Sequence, residues 1–362
     1  MVSKRVKLAA LLLALVFAVQ FPAFAASRGI WISSAEIAKL PMSGAAWDRL
    51  KKTADSPLSS APCLSNRNNE GVEIMAKALV YARTGVDKYR QEVAAALQAS
   101  IGTHDNYSDP LAVARKVTGY AIAADLIGYS DPAFVSYMRY LLHGSISGWA
   151  GLADIHEKRP NNWGTSAGAS RAAVAAYLGD TTELARCAQV FKGWLGDRAS
   201  YSSFTYGDLA WQADASKPVG INPKGSTKNG YDIDGVLPDD ERRAGGFTWP
   251  PPKENYVWGA CDGAYVQGII LSRAGYPTWD WQDKALGRAA EWLFEVCKFP
   301  PTGDDTVILP LLDYAYGTHY WNGSVIEPGK FIGWTDWSHS IRSSVPTGPQ
   351  PPTDLKITNI VP

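Results

Sequence analysis

EKRPNNWGTSAGASRAAVAAYLGD, residues 157–180, is the stretch on which the fold turns. Its second half is a smooth run of small and apolar residues that ends at Leu178-Gly179-Asp180, and it reads as a helix. Its first half sets two asparagines, a tryptophan and a glycine behind a proline and two cations. Asn is a good N-cap, because its side-chain oxygen accepts from the free N–H groups of the first turn. An amide and a cation at a helix mouth also make a binding site for a carboxylate. Both readings stay open at this point.

The same helical spacing recurs outward from this stretch. Val72, Met75, Leu79 and Ala82 form one stripe, broken at Thr84-Gly85, and Val93, Leu97 and Ile101 continue it. Val113, Val117, Tyr120, Ala124 and Ile127 form another, Leu184, Cys187, Phe191 and Trp194 a fourth, and Leu286, Ala290, Leu293 and Val296 a later one. Each predicts an amphipathic helix of about three to four turns. Breakers follow in order: TGVD, YSDP, LGDTT and AGYPTWDW. Strand-like alternation is rare. Helix, short turn, helix, repeated, predicts an all-α chain of stacked αα-hairpins. No polar, cap-like end repeats are present, so the hairpins are expected to close into a ring or incomplete toroid over residues 26–342. Residues 198–256 lack a helical stripe and are rich in Gly, Tyr, Trp, Asp, Pro and Lys. A long irregular segment inside a compact domain is usually functional, and this one is expected to cross one mouth of the ring.

The two ends read differently. MVSKRVK is basic, LAALLLALVFAV is a short apolar run, and Ala23-Phe24-Ala25 fits a small-x-small cleavage site, so residues 1–25 are expected to be a secretory signal peptide. The protein is expected to be secreted or periplasmic, with no membrane span and as a monomer. SSVPTGPQPPTDLKITNIVP, residues 343–362, reads as a Pro-rich linker with the stub of a β module.

Across its 362 residues the chain carries 35 Lys and Arg against 35 Asp and Glu. Loss of Lys4, Arg5 and Lys7 with the leader leaves it near neutral, which argues against a nucleic-acid partner. Four cysteines, Cys63, Cys187, Cys261 and Cys297, permit two disulfides or four buried thiols. No CxxC pair occurs and His is scarce, so no metal site and no cofactor are expected.

The chemistry-bearing residues concentrate in the opening stretch and in residues 234–276, which hold Arg242, Arg243 and Tyr256. Here the chain resembles the alginate-lyase group of polysaccharide lyases with an (α/α) toroid. NNWG…AAYLGD is similar to that group's doubled Asn opening a helix that ends in a Tyr-Leu-Gly-Asp turn. DDERR…ENYVWG…SRAGYPTW is similar to its acidic, arginine-bearing segment followed by a Tyr entering a helix. ALVYARTGVDKYRQE and LAVARKVTGYAIAADLIG resemble its first two hairpins. The likeness spans roughly residues 60–320. It implies Asn162 as carboxylate neutraliser, Arg243 (or Arg242) as its cation and Tyr256 as base and acid. The group has His after the second Asn, where this chain has Trp163; His156 is the candidate to replace it in space.

These residue types suit β-elimination from a uronate chain. A base takes the proton at C5, beside the carboxylate, and the C4 oxygen leaves. An amide and a guanidinium that neutralise the carboxylate stabilise the enolate-like intermediate more than the ground state. In mannuronate and glucuronate the C5 proton and C4 oxygen share a face, so one Tyr can serve both ends of the reaction. The expected substrate is an acidic polysaccharide, mannuronate-rich alginate or glucuronan, cut without metal. Asn161, Arg67 and Asn69 are the further candidates for sugar contacts, and Trp163, Trp211, Trp249 and Trp258 for sugar stacking. Two other classes stay open: a glycoside hydrolase using paired carboxylates from Asp154, Glu157, Asp234, Asp239, Asp240, Glu241 and Asp262, and a glycan-binding protein without catalysis.

Overall fold

The computed structural model describes residues 26–340. The expected leader and the Pro-rich tail lie outside them. Helices hold 55% of the described residues and strands 2%, so the fold is all-α. Its first helices are α1 (Ser34–Ile37), α2 (Ala45–Asp55), α3 (Glu70–Thr84), α4 (Asp87–Ala99), α5 (Pro110–Leu126), α6 (Pro132–His143) and α7 (Gly151–Lys158). They continue with α8 (Asn162–Leu178), α9 (Thr181–Trp194), α10 (Pro238–Glu241), α11 (Tyr256–Arg273), α12 (Trp281–Glu291), α13 (Leu309–Tyr316) and α14 (Thr335–Ser338). A minimal hairpin pairs Thr227–Lys228 with Tyr231–Asp232.

Local chemistry sets the boundaries. Asp109, Asp131 and Asp180 cap α5, α6 and α9 through their carboxylates, and Pro stands in the first turn of α5 and α6, where its missing N–H is not needed. The stripe expected from Leu286 to Val296 is helical to Glu291 and passes into a π turn at Trp292–Val296.

Helices α3, α5, α8 and α11 pack side by side in that order, with α4, α7, α9 and α12 outside them. Between its ends α8 is buried on every side. Amphipathic packing is therefore the wrong description of this layer. The same holds for α5, read from sequence as a one-sided stripe, whose residues from Ala112 to Leu126 are buried all round except Arg115. A helix enclosed on all sides needs small residues where backbones meet. A β-carbon at Gly263 of α11 would stand 2.5 Å from the carbonyl carbon of Thr165 on α8.

The four inner helices run parallel. Arg67, before α3, pairs with Asp109, before α5, at 2.6 Å. At the opposite ends, Asp125 of α5 accepts from the Ser27 hydroxyl and from the backbone N–H groups of Arg28, Gly29 and Ile30. Arg273, closing α11, donates to the Gly29 carbonyl at 2.6 Å and pairs with Glu36 at 2.8 Å. One end of this layer thus collects helix N-termini, and the N-terminal segment crosses the other.

The succession of neighbours returns to its start. α11 packs on the turn Gly303–Ile308, that turn on α14, α14 on α2, and α2 on α3. The indoles of Trp334 and Trp337 seal this seam by donating to the carbonyls of Val72 at 3.0 Å and Pro41 at 2.8 Å. No helix among the described residues is long and apolar enough to cross a membrane. The four cysteines are separate buried thiols rather than two disulfides.

Because Gly263 meets backbone rather than a movable side chain, Gly263→Ala is expected to destabilise the protein by about 1–3 kcal/mol. A urea midpoint equal to that of the wild type would show that α8 and α11 can separate without cost.

Candidate functional site

The doubled amide at the start of α8 does two different jobs. Asn161 is the cap: its Oδ1 accepts from the Trp163 N–H at 3.2 Å, and its Nδ2 donates to Asp239 at 3.0 Å. Asn162 is the first helical residue. Its N–H donates to Asp240 at 3.1 Å, while its side-chain Oδ1 is buried with no hydrogen-bond partner. A buried amide oxygen without a donor is costly by roughly 1–3 kcal/mol. Such a group is retained where something outside the chain completes it.

Parts of the irregular segment pack against the N-terminal end of α8. The short helix α10 delivers Asp239 and Asp240 to the first turn of α8, where the helix dipole favours negative charge. Asp239 also accepts from the Gly207 N–H at 2.8 Å and from Arg242 Nε at 2.8 Å. Arg242 is therefore held by Asp239, and of the two adjacent arginines only Arg243 is left to face outward. Burial pushes the Asp240 carboxyl well above the usual carboxylate range, with the Asn162 N–H opposing it.

Tyr256 opens α11 and is 44% exposed. Its backbone N–H donates to Glu254, and the Arg243 guanidinium sits over its ring, 4.3 Å from the centroid. One turn further, Gly259 faces Asn162. A β-carbon there would lie 3.7 Å from Asn162 Nδ2 and 4.0 Å from Nη2 of Arg115. Tyr256 thus stands about 4.5 Å along the helix axis above the point where α11 meets Asn162. Tyr256 and Asn162 open two helices that pack against each other.

Arg115 was not singled out in the sequence reading. It follows Ala114 in LAVARKV, inside a helix that is otherwise enclosed. Its neighbour Lys116 is fully engaged, with Glu70 at 2.5 Å and the Cys63 carbonyl at 3.1 Å. Arg115 Nε is buried without a partner, and no carboxylate among the described residues stands within ion-pair reach of it. Burial lowers its pKa from the ordinary value, and the Phe331 ring lies 5.6 Å beneath it. The signal that finds it is two consecutive cations in the middle of an apolar helical stripe. Nearby, Asp262 of α11 is fully buried. Burial, then Asp305, pushes its carboxyl well above the usual range.

Other candidates are placed elsewhere. His156 does not reach Asn162. It packs against Gly168, six residues along α8, with Gln267 at 3.2 Å and Arg171 at 3.5 Å, and burial pushes its pKa well below the ordinary value. Trp258 has no face for a sugar: it is fully buried and donates to the Phe299 carbonyl at 3.1 Å. Trp211 is likewise buried, against Phe247. Trp163 is half-buried beneath Arg159, and Trp249 lies flat on the exposed Tyr231 at 4.6 Å. Arg67 and Asn69 are exposed at the start of α3, Arg67 in its ion pair with Asp109. Tyr314 and Tyr316, which could also serve as a base by residue type, donate to Glu36 and to the Trp279 carbonyl. No group of three His, Cys, Asp or Glu among the described residues could hold a metal ion.

Comparison with known proteins finds no matching family model and no matching curated protein.

Glu241, last in α10, is buried with neither oxygen paired. Burial, then Glu254 and Asp240, raises its pKa from 4.5 to about 8. The folded state therefore holds this proton more tightly than the unfolded chain. Its contribution to stability is full below pH 4.5 and is lost as pH rises through about 8. Glu241→Gln is expected to remove that decline, so its stability relative to wild type should climb between these limits and level off above them. Parallel urea titrations across the range would show it; curves that stay a constant distance apart would not fit.

Proposed function

We propose that the protein is a polysaccharide lyase that cuts an acidic, uronate-containing polysaccharide by metal-independent β-elimination, on an incomplete (α/α) toroid exported from the cytoplasm. The observation that carries this reading is the buried, unpartnered amide of Asn162, set among helix N-termini below a tyrosine that bears a guanidinium. The returning succession of inner helices supports the toroid. The resemblance of NNWG…AAYLGD and DDERR…ENYVWG to the alginate-lyase group points the same way.

In this reading the sugar carboxylate sits against Asn162. The amide presents Nδ2–H to the ionised carboxylate and Oδ1 to a protonated one, so it follows the group as charge develops on it. Tyr256, as phenolate, takes the C5 proton. The electron pair of that C–H bond forms the C4–C5 double bond, the C4–O bond breaks, and the phenol returns the proton to the leaving oxygen. One residue can do both where the two bonds share a face of the ring, which favours mannuronate or glucuronate units. Arg243, over the ring, supplies the cation beside the phenolate.

The hydrolase reading has less support. It needs two accessible carboxyl groups about 5–9.5 Å apart. Asp240, Glu241 and Asp262 are almost wholly buried, and Asp239 is committed to Asn161, Gly207 and Arg242.

The test is ultraviolet absorbance during incubation with polymannuronate, polyguluronate, glucuronan, hyaluronan and pectate. A rise with a mannuronate or glucuronate polymer is expected. Tyr256→Phe and Asn162→Ala should each lower the rate by about 10²–10⁴. New reducing ends without absorbance, or a fully active Tyr256→Phe, would defeat the assignment.

A further inference from the structure

The sequence motif assigns the carboxylate-neutralising cation to Arg243 or Arg242. The geometry assigns it to neither. Arg242 is occupied by Asp239 through two nitrogens, at 2.8 and 3.3 Å. Arg243 is exposed and lies over the Tyr256 ring. We infer that Arg115 of α5 is the cation that binds the uronate carboxylate, in a cleft it shares with Asn162 of α8 and that Gly259 of α11 keeps open.

Three independent features converge there. The first is the guanidinium itself. Its Nε is buried and unpartnered although the residue as a whole is half-buried; like Arg159, and unlike the fully buried Lys77, Lys116, Arg171 and Arg273, it has no carboxylate partner among the described residues. An unanswered buried cation is expensive unless an anion arrives to complete it. The second is the side-chain amide of Asn162, contributed by a different helix, whose Nδ2 donor faces the same space. The third is Gly259, on a third helix. The site its β-carbon would occupy is 3.7 Å from the amide nitrogen and 4.0 Å from the guanidinium, so the two donors flank one small space. A planar guanidinium and an amide N–H offer a carboxylate the bidentate and single contacts that suit it. Of the carboxyls around it, Asp262 acts on Arg115 most strongly, with Asp109 and Asp304 weaker, none of them in an ion pair with it. Asp262 is fully buried beside Asp305. Arg243 is left to act on the phenol rather than on the substrate's acid group.

This inference rests on the carboxylate-site reading above but not on elimination itself, and the experiment separates the two. Binding of D-glucuronate and of a saturated glucuronate trisaccharide is measured by titration calorimetry, with D-glucose as the neutral control. The wild type should bind the uronates and not glucose. Arg115→Gln should weaken uronate binding by about 10- to 100-fold. Arg115→Lys, which keeps the charge and loses the fork, should recover part of it. Gly259→Val, which leaves both donors and fills the space, should weaken it as well and covers the case in which Arg115→Gln does not fold. Arg243→Gln should lower turnover with the uronate affinity nearly unchanged. Uronate affinity equal to wild type in a folded Arg115→Gln, or in Gly259→Val, would overturn the assignment, as would a wild type that binds neither uronate. Uronate binding that depends on Arg115, with no absorbance change on any polymer, would uphold Arg115 and sink the lyase reading.

Discussion

Everything at the candidate site follows from the enclosure of α8. A helix with neighbours on every face cannot turn a polar side to water. Only small residues allow the backbones of α5 and α11 to come close enough to exclude it. Gly263 of α11 is an example: a β-carbon there would fall 2.5 Å from the Thr165 carbonyl carbon of α8. Once three long helices are packed this closely in the same sense, their N-terminal N–H groups and positive dipole ends gather at one place. That place must attract anions.

The chain answers most of this demand itself. Asp109 caps α5, Glu254 accepts at the start of α11, and Asp239 with Asp240 closes α8. These acids come from loops, which explains why residues 198–256 are long, polar and yet well ordered in their contacts. Tyr201 and Thr205 tie the same segment to the carbonyls of Glu157 and Lys158. The balance is incomplete in the space between Arg115, Asn162 and Gly259. A site can be recognised there by subtraction, as the part of a positive mouth that the protein's own carboxylates leave unanswered.

Periodicity and breakers made the helices legible, because Asp-Pro starts and Gly stops have local causes. Gly85 and Gly179 end α3 and α8 in the left-handed conformation that their positions suggest. The enclosure of α5 was not legible as such: Val113, Val117 and Tyr120 mark a stripe, but the alanines around the rest of the helix are silent about whether they face water or another backbone. Asn162 could be nominated from its place after a cap. Separating it from Asn161 required knowing which amide the Asp239 carboxylate takes. Arg242 and Arg243 are alike in sequence and are distinguished only by Asp239. Arg115 stayed hidden because a cation in a helix is usually solvated, and only burial by helices distant in sequence changes its meaning. His156 and Trp258 failed for the converse reason: nearness along the chain placed them by the site, and helix packing turned them inward.

The seam between α14 and α2 also has a consequence in time. Trp334 and Val72, which it joins, are 262 residues apart, and Trp337 and Pro41 are 296 apart. Loop closure over such lengths costs little extra free energy, since the cost grows only with the logarithm of length. Its kinetic meaning is larger. During synthesis the flank of α2 and α3 that α14 will cover exists long before its cover does. At ordinary translation rates that interval is roughly 10–60 s. For that period the nascent chain presents an apolar edge with no partner. The early helices therefore depend for their solubility on whatever shields that edge until the last aromatic residues emerge and settle onto it.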